Sequence, residues 1–358
     1  MKVLVGMSGG VDSTVTAILL KEAGYDVIGA TMAIWGDRNI KGIAQEHKKK
    51  NACFGPDEKE DIESAKKVAA EIGVPYHVFN CAKEYDEVVL KYFKSEYLKG
   101  KTPNPCVYCN ALIKFGVLPH IARMNGVTFD KFATGHYAKV EEQNGRYVLK
   151  RGINPHKDQS YFLYKLTQEQ LANIILPLGN YNKEQIRDIA QKHGLSVADK
   201  HDSQDFYCGD YNELLEVENK KGNIVDTNGK ILGEHEGIWN YTIGQRKGLG
   251  ISSTEPLYVL SLNKDTNEVV VGFKDKTFKK SLTAVDINFV SYDKLPKDKQ
   301  LSAKIRSTQQ PQSVCAEFKD NKLIVEFDEW QKSIAPGQSV VIYDDDIVVA
   351  GGIIDTVE

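Results

Sequence analysis

Six residues near the start of the chain, Ser8-Gly9-Gly10-Val11-Asp12-Ser13, combine types that suit phosphate chemistry. Two adjacent glycines let the backbone turn tightly and bring N–H groups close to a ligand. Ser13 opens a helical run, and the free N–H groups and positive dipole end of a helix suit phosphate oxygens. Asp12 offers the oxygen ligand that a magnesium ion bridging phosphates prefers. No Gly-Lys-Ser or Gly-Lys-Thr follows, so the loop is not a Walker A loop. Cysteines at 53, 81, 106, 109, 208 and 315 are the second chemical resource. Cys106 and Cys109 form a Cys-x-x-Cys pair, which suits redox or resolving chemistry. Together with the distant Cys208 they supply three thiolates with an open fourth position, enough for an iron–sulfur cluster or a zinc ion. Cys81 and Cys315 sit in apolar or strand-like text and read as small buried hydrophobes. Cys53 has no identifiable partner.

The elements around these residues alternate. Lys2–Met7 reads as a strand, Ser13–Ala23 as a helix stopped by Gly24, and Asp26–Met32 as a second strand. Glu60–Ile72 has helical periodicity ending at Gly73, Tyr76–Phe79 is a third strand, Asp86–Leu98 is helical, and Phe132–Gly135 is another strand end. This alternation predicts a parallel sheet with helices on both faces. Pro103 and Pro105 fix φ and remove donors, so the segment carrying Cys106 and Cys109 is predicted to be a stiff loop presenting an exposed thiolate. Beyond about Asp226 the texture becomes β-branched and aromatic, in short runs at Tyr258–Leu262, Glu268–Val271, Leu323–Phe327 and Ser339–Tyr343, which predicts a sandwich or barrel. The expected division is an α/β nucleotide domain over 1–205, a small connecting domain over 206–275 and a C-terminal β-barrel over 276–358.

With 358 residues, 41% hydrophobic and 27% charged, the chain reads as a multidomain globular protein. It opens directly into strand-like text, without a basic and apolar leader, and no apolar run approaches the roughly 20 residues of a membrane span. The expectation is a cytoplasmic protein with no membrane partner. The net charge of −3 gives no global sign of nucleic-acid binding. Local basic runs at His47-Lys48-Lys49-Lys50 and Lys99–Lys101 remain candidates.

The SGGVDS loop resembles the pyrophosphate loop of the ATP pyrophosphatases, which cut ATP between its α and β phosphates. Matching text continues through Thr102-Pro103-Asn104-Pro105-Cys106-Val107-Tyr108-Cys109-Asn110, ATGHYA at 133–138, KDQSYFL at 157–163, the Cys208 segment, YTIGQRKGLG at 241–250 and APGQ at 335–338. Over nearly its full length the chain resembles the tRNA-uridine 2-sulfurtransferases, which thiolate the anticodon wobble uridine. That resemblance implies ATP and Mg2+ as cofactors, and as partners tRNA and a persulfide donor, either a sulfur-carrier protein or a cysteine desulfurase. By position it makes Cys109 the nucleophile and Cys208 the persulfide carrier. Gly6, Met7, Ser8, Gly9, Gly10, Val11, Asp12, Ser13, Met32 and Gly135 become ATP-binding positions. Asn104, Pro105 and Cys106 fall beside the target base, and His136, Lys157, Asp158, Gln159, Arg306, Ser307 and Gln338 at tRNA contacts. Taken alone, Met32 would read as core and Lys157 as surface.

Two positions depart from the family's commoner pattern. Cys106 stands where an Asp is usual, which removes an acid beside the thiol and creates the Cys-x-x-Cys pair. Ser307 stands where an aromatic is commoner. Persulfide exchange between Cys109 and Cys208 and a cluster held by Cys106, Cys109 and Cys208 are both compatible with these residues. An ATP-dependent amide synthetase shares the loop but has no use for the paired cysteines.

Overall fold

The computed structural model describes residues 1–36, 38, 52–198, 200, 206–207, 209 and 211–358. The chain divides into two compact units. One comprises Met1–Val89, Pro105–Gly209 and Asp346–Val348, and the other Leu90–Asn104, Asp210–Asp345 and Val349–Glu358.

The first unit is built on a five-stranded parallel sheet. Its strands include β1 (Lys2–Gly6), β2 (Asp26–Ala33), β3 (Tyr76–Asn80) and β4 (Lys131–Ala133), in the order β3-β2-β1-β4 with Ile174–Ile175 outside β4. Val3, Leu4 and Val5 of β1 are all fully buried, as expected of a central strand covered on both faces. Helix α1 (Val11–Glu22) follows β1. One side of it, Val11, Val15 and Ile18, packs with Tyr137, Leu178, Ile186 and Ala190. The other, Ala17 and Leu20, packs with Val3 and Val5. Gly24 ends this helix at φ 84° and Gly73 ends α2 (Glu58–Glu71) at φ 63°, left-handed positions that glycine adopts without steric cost.

The second unit holds a four-stranded sheet of Gly222–Val225, Ile231–His235, Tyr258–Asn263 and Glu268–Gly272, and a six-stranded antiparallel barrel. The barrel closes where Phe278–Phe289 pairs with Ile347–Val357, with Leu282 opposite Val357 and Phe289 opposite Ala350. Alternation along Lys322–Lys332 sends Leu323, Val325 and Phe327 into the barrel core and Ile324 and Glu326 outward. The same alternation corrects the reading of Cys315. It follows the inward Val314 and is exposed, whereas Cys81 is buried as expected.

The loop expected around the paired cysteines is also corrected. Pro105–Tyr108 is helical, and Cys109–Val117 continues as wider i→i+5 turns. Pro105 occupies the first helical position, where a missing N–H costs nothing and a fixed φ favours the helix, so the proline starts the element instead of preventing it. Lys99–Asn104 stays irregular. Among the described residues no helix is long and apolar enough to cross a membrane.

Within the second unit the turn Ala335–Gln338 grips the stretch 101–103. Thr102 N–H donates to Pro336 O (2.9 Å), and Gln338 Nε2 donates to Thr102 O (3.0 Å). Gly337 sits at φ 90°, and a Cβ there would lie 2.9 Å from Lys101 Cβ and 2.9 Å from Thr102 N. Gly337→Ala should therefore destabilise this turn by about 2 kcal/mol and speed tryptic cleavage after Lys99 and Lys101. Unchanged cleavage kinetics and melting temperature would show that the turn does not restrain the stretch.

Candidate phosphate loop and thiol site

The loop between β1 and α1 is held from four sides. Ser13 Oγ accepts from Ser8 N–H (3.1 Å) and donates to Gly10 O (3.2 Å), which folds the loop over the helix start. Gly9 lies at φ 71°, where a Cβ would meet Asp61 O at 2.6 Å. Lys200 Nζ donates to Gly9 O (3.2 Å) and to Asp61 Oδ1 (2.8 Å). Gly135, just past β4, approaches so closely that a Cβ would stand 2.9 Å from Asp12 C and 3.0 Å from Ser13 N. The approach of Gly135 leaves no room for a side chain against the first turn of α1, where helix N–H groups suit a polyphosphate. The Asp12 carboxylate accepts from Tyr137 OH (2.8 Å) and from Lys183 Nζ at both oxygens (2.8 and 2.9 Å). It is a hard oxygen donor that suits a divalent cation, and an ammonium group stands on it.

The other expected nucleotide residues fall close by in the fold. Gly6 ends β1, and Met7 is buried with its N–H donating to Ala30 O (2.8 Å). Val11 is buried in the α1 core. Met32 is half-buried on β2, in register with Phe79. Sequence reasoning missed Lys183 and Lys200. Neither belongs to the loop motif, and single lysines more than 170 residues downstream carry no local signal. Tyr137 lay inside ATGHYA without an assigned task.

The segment after β4 links this loop to the cysteine helix. His136 Nδ1 is 2.6 Å from Thr134 Oγ1, and its ring lies 5.5 Å from that of Phe115 on the Cys109–Val117 helix. Burial, with Lys114 nearby, drives the His136 pKa well below 6.5, so the ring is neutral at physiological pH. Cys106 and Cys109 are free thiols, partly exposed at their surface but densely surrounded. Burial pushes Cys106 up to about 12 and Cys109 up to about 11, and Lys114 opposes both shifts. Cys53 acts electrostatically on both thiols and on the buried Tyr85, which gives it the surroundings that its sequence did not suggest. Cys208 lies outside the described residues, as does the run His47–Lys50. Of the residues before Cys208, Tyr207 is buried, and both Phe206 and Tyr207 have rings within 6.2 Å of that of Phe54. Phe54 also stacks on Tyr85 at 5.2 Å, and its N–H donates to Phe206 O (3.1 Å). Among the described residues no three His, Cys, Asp or Glu side chains are grouped to hold a metal ion.

The expected RNA-contact residues divide between the units. Lys157, Asp158 and Gln159 share the first unit with His136, Pro105 and Cys106. Asp158 is buried and accepts from Gly152 N–H (3.3 Å), Ser160 N–H (3.1 Å) and Ser160 Oγ (3.1 Å). Gln159 pairs with the Tyr137 backbone through its N–H (2.9 Å) and its Oε1 (3.0 Å). Lys157 is half-buried, and its N–H donates to Asn154 O (3.1 Å). Asn104, Arg306, Ser307 and Gln338 belong to the second unit, where Arg306 Nη2 donates to Ser333 O (2.9 Å). Of the candidate basic run, Lys99 pairs with Glu96 (2.6 Å) and Lys101 with Asp355 (2.9 Å).

A parallel sheet with a glycine phosphate cradle after its first strand, followed by an antiparallel barrel, defines a multidomain nucleotide-binding protein of the pyrophosphate-loop class. Residues 1–208 match the family described as tRNA methyl transferase HUP domain, 214–273 its PRC-barrel domain and 279–354 the aminomethyltransferase beta-barrel domain. The chain is 48% identical over 359 residues to the tRNA-specific 2-thiouridylase MnmA of Endomicrobium trichonymphae, covering 99% of each. It is 46% identical to the proteins of that name from Acetivibrio thermocellus, covering 99% of each, and Clostridioides difficile, covering 99% of this chain and 98% of the relative. The chain belongs to the tRNA-specific 2-thiouridylase family.

Burial makes the Cys109 thiol a poor nucleophile in the free protein. Its alkylation by iodoacetamide should rise about tenfold per pH unit from 7 towards its pKa, because only the thiolate reacts, and level near 11. Lys114→Met removes the cation that opposes burial and should move the profile to higher pH. Peptide mass spectrometry reads Cys109 separately from the exposed Cys53 and Cys315; a plateau near pH 8.5 would show that burial does not control this thiol.

Proposed function

We propose that this chain is an ATP-dependent sulfurtransferase that converts the wobble uridine of tRNA anticodons to 2-thiouridine in the cytoplasm. The observation that carries the reading is the match along the whole chain, at 46–48% identity, to proteins named for that activity. A phosphate cradle and a pair of free thiols within one unit support it. The same match leaves an amide synthetase disfavoured, since that reaction gives Cys109 no task.

In this reading the uracil O2 attacks the α phosphorus of ATP, pyrophosphate leaves, and the base is held as an O-adenylate. The loop amides from Ser8 to Ser13 bind phosphate oxygens, and Gly135 keeps the helix start clear. Asp12 is the residue that would hold Mg2+, which supplies charge neutralisation on the phosphates. Met32 is proposed to pack on adenine. The terminal sulfur of a persulfide on Cys208, received from a carrier protein or a cysteine desulfurase, attacks C2 and AMP leaves. The Cys109 thiolate then attacks the Cys208 sulfur, releasing the thiocarbonyl and forming a Cys109–Cys208 disulfide that an external dithiol reduces. The base must leave its stack to be reached. Asn104, Pro105 and Cys106 are proposed to border it, and His136, Lys157, Asp158, Gln159, Arg306, Ser307 and Gln338 to form the RNA contacts. Because Cys106 is densely surrounded and held near 12, it stays protonated and fills space where the commoner family residue is acidic.

An in vitro assay with tRNA transcript, ATP and a persulfide donor tests the scheme. Cys109→Ser and Cys208→Ser should each lower thiolation by about 10³-fold or more while leaving ATP binding intact. Cys106→Asp should remain within about tenfold of the parent. Thiolation by Cys109→Ser at the parent rate would overturn the assignment. Loss of activity together with bound iron in Cys106→Asp would point to a cluster instead.

A further inference from the structure

The ion pair between the phosphate loop and the helix Lys183–Lys192 has no task in the scheme above. Lys183 is the first residue of that helix, and Asn182 caps it with a reciprocal box in which Asn182 N–H donates to Gln185 Oε1 (2.7 Å). The backbone at Lys183 is therefore fixed, and its ammonium group reaches Asp12 through a flexible four-carbon stem. The contact is bidentate, at 2.8 and 2.9 Å, with side-chain exposures of 10% for Lys183 and 24% for Asp12. Tyr137 OH completes the shell on Oδ1 at 2.8 Å. The cation thus sits on the one carboxylate of the loop that suits a divalent ion, at the start of α1 where polyphosphate binds.

We propose that Lys183 is a placeholder cation. In the nucleotide-free protein it occupies the Asp12 position that a divalent ion takes when ATP binds, and it then turns to the β and γ phosphates to meet the charge that pyrophosphate gains on leaving. Charge balance drives the exchange. A divalent ion added to a carboxylate already neutralised by an ammonium group is repelled, whereas a polyphosphate arriving with that ion supplies enough negative charge for both cations. Lysine suits the exchange because its charge is compact and its stem rotates, unlike the planar fork of arginine. Asp12 and Lys183 thereby keep the loop from collecting free metal while empty.

The inference rests on reading this loop as the ATP site, but its test does not depend on turnover. Mn2+ titration of the nucleotide-free full chain, followed by the electron paramagnetic resonance of free Mn2+, should show no site on the parent protein at micromolar concentrations. Lys183→Met should expose one site per chain, at least about tenfold tighter, and adding Asp12→Asn should abolish it. Lys183→Gln serves as a second variant should the methionine form not fold, and Lys183→Arg should behave as the parent. Superimposable Mn2+ titrations of the parent and both neutral variants would overturn the placeholder role. Calorimetric titration with Mg2+ and ATP separates this from the broader reading: a parent chain that bound no ATP would remove the ATP site itself, whatever the Mn2+ result.

Discussion

The Asp12 carboxylate is the contact on which the α/β unit depends. It gathers Tyr137 and Lys183, which lie 125 and 171 residues away in sequence, onto the first turn of α1. Each bond is charge-assisted and substantially sheltered, so each is worth more than an ordinary surface pair. Losing one partner would also leave a sheltered charge incompletely matched. The sheet order explains why these segments meet. β1 is flanked by β2 on one side and β4 on the other, so the connections leaving β1 and β4 face one another across the point where the strand order reverses. The phosphate loop leaves β1 there, and Thr134–Tyr137 leaves β4.

From that crevice the organisation reaches the thiols by packing. Gly135 abuts Asp12 and Ser13, and the neighbouring His136 ring lies against Phe115, on the helix that Cys109 begins. A neutral His136 is compatible with this apolar contact, whereas a charged imidazolium would have to be desolvated there. The same burial holds the two thiols protonated in the free protein. Lys114 opposes that effect and supplies a standing bias towards the thiolate.

The parallel sheet and phosphate loop were legible in the sequence because their signals are local. An apolar run such as Val3–Val5, a double glycine and a helix start all lie within twelve residues. The barrel strands were legible as short β-branched and aromatic runs such as Leu323–Phe327 and Ser339–Tyr343. The Pro103–Cys109 segment misled because a proline reads as a breaker unless its place in the helix is known, and at Pro105 that place is the first position. Cys315 misled because its neighbours are apolar, while alternation sends it outward. Lys183 and Lys200 were invisible for a different reason. Their role exists only after folding has closed a separation of 171 residues to Asp12 and 191 to Gly9.

The candidate RNA contacts follow a further constraint. Several of these side chains already serve the protein: Asp158 is enclosed by Gly152 and Ser160, Gln159 by Tyr137, and Gln338 by Thr102. Under the proposed function such residues would act on a polyanion by shaping the backbone around it, since a buried carboxylate such as Asp158 cannot favour a phosphate directly. Arg306 differs. Its Nη2 is oriented by Ser333 O and Ile243 O, while a guanidinium carries five N–H donors, so internal bonds aim the group and leave donors for an incoming phosphate. Under the proposed function a chain with a net charge of −3 would engage an acidic ligand through a few oriented cations, not through a broad basic field, and the salt dependence of binding should be shallow for the size of the RNA.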